Sequence, residues 1–186
     1  MNKTVNLTHL RDPETREKLR KWWESLEDNR GARARLRRAE HPDDVLLTEP
    51  FFQFLCQMPA DWSEPANLST SAIIAATLAH VRHSKDDQSF ASQLASPNKE
   101  VSDKPCMSEF RFQQLQKSRD PEEFFMRLLR AVRLADNKVN LFSLADSILH
   151  WMKEYRFGIN REPQKRLAVR WANDYYVASS KAKNKS

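Results

Sequence analysis

Apolar side chains recur through most of this chain at intervals of three and four residues, the spacing of one helix face. The clearest stretch follows Asn140 and gives six matches to the amphipathic template: Leu141, Leu144, Ala145, Ile148, Leu149 and Met152. No alternating apolar and polar stretch of useful length and no internal repeat is found. The pattern therefore predicts an all-α protein.

Helix start and stop signals divide this pattern into elements. Asp120-Pro121-Glu122-Glu123 combines a capping aspartate, a proline at the first helical position and acids in the first turn, and Asp12-Pro13-Glu14 is similar. The residues from 181 to the end are expected to fray. The predicted helices cover about 12–27, 30–39, 43–58, 67–83, 90–94, 108–117, 120–135, 140–156 and 163–180.

The segment 84–105 carries the weakest apolar pattern and is rich in polar residues and turn signals. It predicts a boundary between two small helical-bundle lobes that form one elongated protein. The N-terminal lobe is expected over 1–95, the linker over about 96–105 and the C-terminal lobe over 106–186. In the first lobe, Trp22-Trp23 is interpreted as core because Leu19 and Leu26 extend the same apolar stripe.

The most unusual stretch is Arg30 to Ala39, where five arginines fall within nine residues. On a helix, Ala32, Leu36 and Ala39 form a narrow apolar side. No acid within three or four residues can neutralise most of these arginines, and guanidinium groups suit phosphate. The arginines expected to face solvent opposite the apolar side are Arg30, Arg33, Arg37 and Arg38, with Arg35 at the edge.

Two more basic faces follow later in the chain. Arg111 with Arg127, Arg130 and Arg133 forms one, and Lys165, Arg166 and Arg170 form the other. The net charge is +4 over residues 1–40, −5 over 41–104 and +7 over 105–186, so two basic ends flank an acidic middle. Basic faces on helices indicate a surface that tracks a nucleic-acid backbone and does not read bases.

Several classes of function are disfavoured. Only 2 glycines are present, and neither GxGxxG nor GxxxxGK[ST] occurs, so phosphate-cradling loops are absent from the sequence. Cys56 and Cys106 lie outside any CxxC motif and are interpreted as core residues of a reduced protein. Without an apolar signal region or a long apolar run, the protein is expected in the cytoplasm, with no membrane partner.

Enzymatic chemistry has little support in the sequence. His80, His83 and Asp86 could form a metal site, but a helix-end position for ordinary histidines is the better interpretation. No activated serine or cysteine and no paired carboxylates stand out. We therefore expect no enzyme activity, no metal and no cofactor.

Four motifs in order resemble the CasB family, the small subunit of the type I-E CRISPR surveillance complex Cascade. The first is the arginine-rich stretch from Arg30 to Ala39, and the second is Arg111-Phe112. The third is Val139-Asn140 with Leu144-Ala145-Asp146 and Leu149-His150-Trp151, and the fourth is Arg170-Trp171-Ala172-Asn173-Asp174-Tyr175-Tyr176. The resemblance extends from about residue 22 to 176 and is weakest over 84–105.

This resemblance implies a non-catalytic, two-lobed helical subunit that stabilises the crRNA-bearing complex and the R-loop in antiviral defence. The implied partners are the large and backbone Cascade subunits, a second copy of this chain, crRNA and both target DNA strands. By position, the implied basic residues are Arg33, Arg37, Arg38, Arg111 and Arg127. The helical faces add Arg30, Arg130, Arg166 and Arg170 as candidate nucleic-acid-binding residues.

Two other functions stay open at this point. The arginines could dock acidic surfaces of partner proteins, which would make the chain a helical protein-interaction module. A metal-dependent phosphohydrolase using the two histidines and Asp86 is the remaining hypothesis.

Overall fold

The computed structural model describes residues 10–97 and 103–184, and these divide into two compact units, Met1–His80 and Val81–Ser186. Both units are built from helices, which confirms the all-α prediction. The only extended pairing among the described strands is parallel and two residues long, between β1 (His83–Ser84) and β2 (Lys138–Val139).

Within its described residues, the N-terminal unit contains four α-helices and three 3-10 turns. Asp12 caps the first helix by accepting hydrogen bonds from the Thr15 amide (2.8 Å) and the Thr15 hydroxyl (2.6 Å). Asn29 ends α1 and caps α2 through the Ala32 amide, so one residue separates the two helices. The helices are α1 (Pro13–Asp28), α2 (Arg30–Arg37), α3 (Glu49–Gln57) and α4 (Leu68–Leu78), with 3-10 turns at Pro42–Leu47, Ala60–Ser63 and Pro65–Asn67.

The core of this unit surrounds α4, whose residues from Thr70 to Leu78 are all buried. A helix that is apolar on every side packs at the centre of a domain. Aromatic rings pack in the same unit, with ring centroids 4.5 Å apart for Trp22 and Phe54 and 5.7 Å apart for Phe54 and Trp62. Trp22 and Trp23 are both buried, as predicted.

Five α-helices are described in the C-terminal unit, over residues 81–97 and 103–184. Asp120 caps α7 through the Glu123 amide, as its motif predicts, and Asn140 caps α8 through the Ser143 amide. Asp136 and Asn137 adopt left-handed backbone conformations (φ 55° and 57°) in the turn before β2. The helices are α5 (Phe90–Ala95), α6 (Glu109–Gln116), α7 (Pro121–Leu134), α8 (Leu141–Phe157) and α9 (Leu167–Lys183), with a 3-10 turn at Pro163–Lys165.

Trp171 on α9 lies at the centre of the C-terminal core. Its ring centroid lies 6.1–6.4 Å from those of Phe90, Phe112 and Phe124, and its indole N–H donates to Ser147 Oγ at 3.0 Å. All five α-helices described in this unit therefore contribute a side chain to this one contact cluster.

Three predicted elements differ from the observed ones. The helix predicted over about 67–83 is α4, which ends at Leu78, and His83–Ser84 forms β1. The segment 43–58 is a 3-10 turn followed by α3, because Thr48 is extended (φ −106°, ψ 138°) and Pro50, which has no N–H to donate, lies in the first turn of a new helix. The last helix begins at Leu167, not at Pro163, since the Glu154 carboxylate of α8 accepts the Leu167 amide at 2.9 Å. Helix α9 also continues through Lys183, beyond the predicted start of fraying.

The unit boundary lies earlier in the chain than the expected linker at 96–105. Helix α5, expected in the N-terminal lobe, packs against α9 in the C-terminal unit, where Ser89 Oγ donates to Asp174 Oδ2 at 2.7 Å. The two sides of the expected linker are hydrogen-bonded to each other, since the Cys106 amide donates to the Ser96 carbonyl. Residues 98–102 of that linker lie outside the described residues.

Candidate nucleic-acid interface

Helix α2 buries the apolar side that the sequence predicts. Ala32 and Leu36 are buried, and Ala39 is buried just beyond the helix end. Arg30, Arg35, Arg37 and Arg38 are exposed. Within the described residues, Arg30 and Arg38 form no side-chain hydrogen bond or ion pair, so their guanidinium groups can bind an external anion.

Arg33 does not belong to the exposed fan in which the sequence placed it. Its Nη1 lies 2.5 Å from Glu27 Oε1 of α1, and its side chain is only 12% exposed. Arg35 Nη1 lies 3.6 Å from Glu49 Oε2 of α3. The acids that neutralise these arginines come from neighbouring helices, where a search at helical spacing along α2 does not find them.

Arg127 is likewise engaged within the protein. Its Nη2 lies 2.5 Å from Glu123 Oε1, while Nη1 donates to the Gln114 carbonyl and to Ser118 Oγ, the latter at 3.4 Å. A guanidinium that binds the last carbonyls of a helix stabilises that helix end. Arg127 therefore joins α7 to the C-terminal end of α6.

Arg111, Arg130 and Arg133 remain available on the same two helices. All three are exposed and, across the described ranges, make no side-chain hydrogen bond or ion pair. Arg130 and Arg133 lie one and two turns beyond Arg127 on α7. Arg111 on α6 and Arg130 and Arg133 on α7 are thus free to bind an anion, whereas Arg127 of the same predicted group is engaged within the protein.

The third predicted basic group surrounds the start of α9. Arg166 donates from Nε to the Asn160 carbonyl (2.7 Å) and from Nη2 to the Arg161 carbonyl (3.1 Å). Arg170 Nη1 lies 3.3 Å from His150 Nδ1. Lys165 pairs with Glu162 at 2.7 Å. The backbone contacts fix the Arg166 head group beside the loop that follows α8.

A cavity of about 200 Å³ lies among the ends of α6 and α8 and the start of α9. Its lining includes Trp151, Tyr155, Ile159 and Leu167, with Ser118 and Glu154 as polar members. Arg127 contacts Ser118, and Arg170 reaches Glu154 through His150. Arg166 directly precedes Leu167. Three of the predicted arginines are therefore neighbours of lining residues, Arg127 by direct contact, Arg170 through His150 and Arg166 in sequence.

Arg161 and Tyr155 are two further candidate site residues that the helical spacing of arginines did not identify. Arg161 lies in the loop before Pro163, so a search for helical faces passes over it, and its side chain is exposed. Tyr155 lies four residues after Trp151, and this spacing on α8 was the signal that could have identified a ring pair on one face. Their ring centroids are 5.3 Å apart.

His150 connects the charged groups beside this cavity. Burial lowers the pKa of its imidazole below the usual 6.5; Glu154 raises the pKa in opposition, and Arg170 and Lys153 lower it. Glu154 Oε1 also accepts the Leu167 amide, so this carboxylate both caps α9 and binds His150 at 3.1 Å.

The lowered His150 pKa predicts a stability loss in weak acid. As pH falls below 6.5, His150 is protonated in the unfolded chain while it is still neutral in the folded protein, because its folded pKa is lower. The free energy of unfolding therefore falls as pH drops below 6.5, and this loss is complete below the folded pKa. We expect His150→Gln to remove this component of the pH dependence. Urea unfolding of both proteins at a series of pH values measures it, and identical pH profiles would contradict the assignment.

The described residues contain no group of three or more His, Cys, Asp or Glu side chains that could hold a metal ion. His80 is buried in the N-terminal unit, whereas His83 is exposed in the C-terminal unit. Among the helices that the structure describes, none is long and apolar enough to cross a membrane.

Comparisons with known proteins agree with this architecture. The family model described as CRISPR-associated protein Cse2 matches residues 32–176. A chain in the crystal structure of E. coli Cascade bound to a PAM-containing double-stranded DNA target has a TM-score of 0.65 at 19% identity, covering 88% of this chain and 95% of that chain. At that identity the likeness shows the fold alone. No curated protein sequence matches the chain significantly.

Proposed function

Because this chain belongs to the CRISPR-associated protein Cse2 family, also called CasB, we propose that it is the non-catalytic small subunit of a type I-E Cascade complex. In this role it binds nucleic acid through phosphates and stabilises the R-loop, the structure in which guide RNA pairs with one DNA strand and displaces the other. The proposal needs no cofactor and places the protein in the cytoplasm.

The observation that carries the proposal is the set of exposed arginines without partners among the described residues. Arg30 and Arg38 in the N-terminal unit, and Arg111, Arg130 and Arg133 in the C-terminal unit, offer free guanidinium groups. Such groups bind the phosphates of a nucleic acid whatever its base sequence, and their contribution to affinity weakens as the salt concentration rises. This property suits a subunit that must accept every target.

A modest binding energy is sufficient for this role. Opening an R-loop exchanges one duplex for another of similar stability, so the exchange is nearly balanced. A surface that favours the opened strands by about 1.4 kcal/mol shifts that balance tenfold. The partners we propose are the large and backbone subunits, a second copy of this chain, crRNA and the target DNA.

Reconstitution tests the proposal directly. Cascade is assembled with crRNA and its other subunits, with or without this chain, and mixed with a supercoiled target plasmid. Permanganate reactivity of unpaired thymines reports the displaced strand. We expect R-loop opening at roughly tenfold lower complex concentration when the chain is present, as about 1.4 kcal/mol of strand binding predicts. Equal opening by both complexes would contradict the proposal.

A second candidate function is a protein-interaction module that docks acidic partner surfaces. Exposed apolar side chains favour it, including Leu47, which is 90% exposed, and Phe52 on α3. The same reconstitution separates the two functions. A module of this kind joins the complex after nuclease treatment yet leaves R-loop opening unchanged, whereas the proposed nucleic-acid role requires altered opening.

A further inference from the structure

Three aromatic rings form a continuous stack from the C-terminal core to the surface. Phe124 and Trp151 lie with ring centroids 4.1 Å apart at an interplanar angle of 7°, and Trp151 and Tyr155 lie 5.3 Å apart at 8°. Phe124 is fully buried, whereas Tyr155 is 51% exposed. The stack therefore ends on a partly exposed ring that packs against a rigid support.

This terminal ring lies at the cavity between α6, α8 and α9. Trp151, Tyr155 and Ile159 supply apolar lining, and the cavity volume of about 200 Å³ accommodates a flat heterocyclic ring. Arg127 already binds Glu123 and a carbonyl of α6. Glu154 already accepts the Leu167 amide of α9 and binds His150. The cavity thus presents mainly apolar surface to a ligand, with Tyr155 as its most exposed ring.

Basic side chains lie in the segments next to this aromatic surface. Arg166 is held over the Asn160 and Arg161 carbonyls next to the lining residue Ile159, and the Arg161 side chain itself is exposed. Arg170 lies on the other side of Glu154, beside His150. Aromatic rings next to basic side chains are the combination that single-stranded nucleic acids require, because bases stack while phosphates are neutralised.

We propose that this cavity binds one unpaired base of single-stranded DNA, stacked on Tyr155, with the flanking phosphates on Arg161 and Arg166. The inference rests on the proposed function and adds a base-binding site to it. A displaced DNA strand supplies such bases, whereas duplex DNA keeps its bases paired and stacked. The site therefore binds single-stranded DNA in preference to duplex DNA. It accepts any base, because every base has a π-face.

The test compares Tyr155→Ala with Tyr155→Phe in the full chain, using fluorescence anisotropy of labelled oligothymidine. Base stacking on one aromatic ring predicts a loss of about fivefold or more for alanine and retention for phenylalanine. Duplex DNA affinity is expected to stay unchanged in both. Phe110→Ala is the matched control, since Phe110 is 69% exposed and does not line the cavity. Thermal unfolding verifies that each variant is folded.

A strand of equal length with abasic sites separates this inference from the function on which it rests. We expect wild type to bind the abasic strand as weakly as Tyr155→Ala binds oligothymidine. If the two strands bind wild type equally and with strong salt dependence, the phosphate function stands and the base site is overturned. Tyr155-dependent binding of oligouridine but not of oligothymidine would overturn the assignment to DNA. Absence of salt-dependent binding to any strand would overturn both.

Discussion

Replacing Arg30 and Arg38 together by alanine is expected to weaken single-stranded DNA binding roughly 25-fold at about 0.1 M salt. Each neutralised phosphate on a single strand contributes about 0.7 to the slope of log affinity against log salt, so two arginines contribute about 1.4. Both side chains are exposed and lack partners among the described residues, so folding is expected to be unaffected. Affinity titrations over a salt series measure the slope.

Arg33→Ala is the matched control for that experiment. It removes an arginine from the same helix, but one that is largely buried and bound to Glu27. We expect its salt slope to equal that of wild type, with a reduced unfolding midpoint because the buried stem of the side chain no longer packs. A double variant that binds as tightly as wild type would contradict the assignment of α2 to the interface, as would a flattened slope in Arg33→Ala alone.

Replacing Trp171 by alanine is expected to destabilise the protein by about 3–5 kcal/mol, because it opens a cavity among three aromatic rings. The side chain is 4% exposed and also donates a hydrogen bond to Ser147. Whole domains are stable by only about 5–15 kcal/mol, so this loss is a large fraction of the total. Urea unfolding followed by far-ultraviolet circular dichroism measures the effect.

Two variants distinguish packing at Trp171 from a general effect on α9. Trp171→Phe keeps a ring in the cluster and loses the hydrogen bond to Ser147, so a smaller loss of stability is expected. Val169→Ala changes an exposed position on the same helix and is expected to alter the free energy of unfolding by less than about 0.5 kcal/mol. A loss in Trp171→Ala no greater than that in Val169→Ala would contradict the packing argument.

The sequence by itself determined the helical class, most helix starts and the buried side of α2. Caps such as Asp12, Asn140 and Asp120 are local, because a helix start depends on residues within one turn of it. Apolar spacing is local in the same sense, so the burial of Leu36 could be predicted without knowing its neighbours. The ordered motifs also identified the family, which the family match confirms.

Only the tertiary structure decided which arginines remain available. Arg33 pairs with an acid six residues away on another helix, which the spacing along α2 does not predict. Arg127 pairs with Glu123 at helical spacing on α7, but its bond to a carbonyl thirteen residues away depends on where α6 lies. Likewise, α9 begins at Leu167 because a carboxylate of α8 reaches its amide. Helical periodicity determines which side of a helix is polar. Whether a charged side chain on that side is paired or free depends on the groups that other elements place next to it.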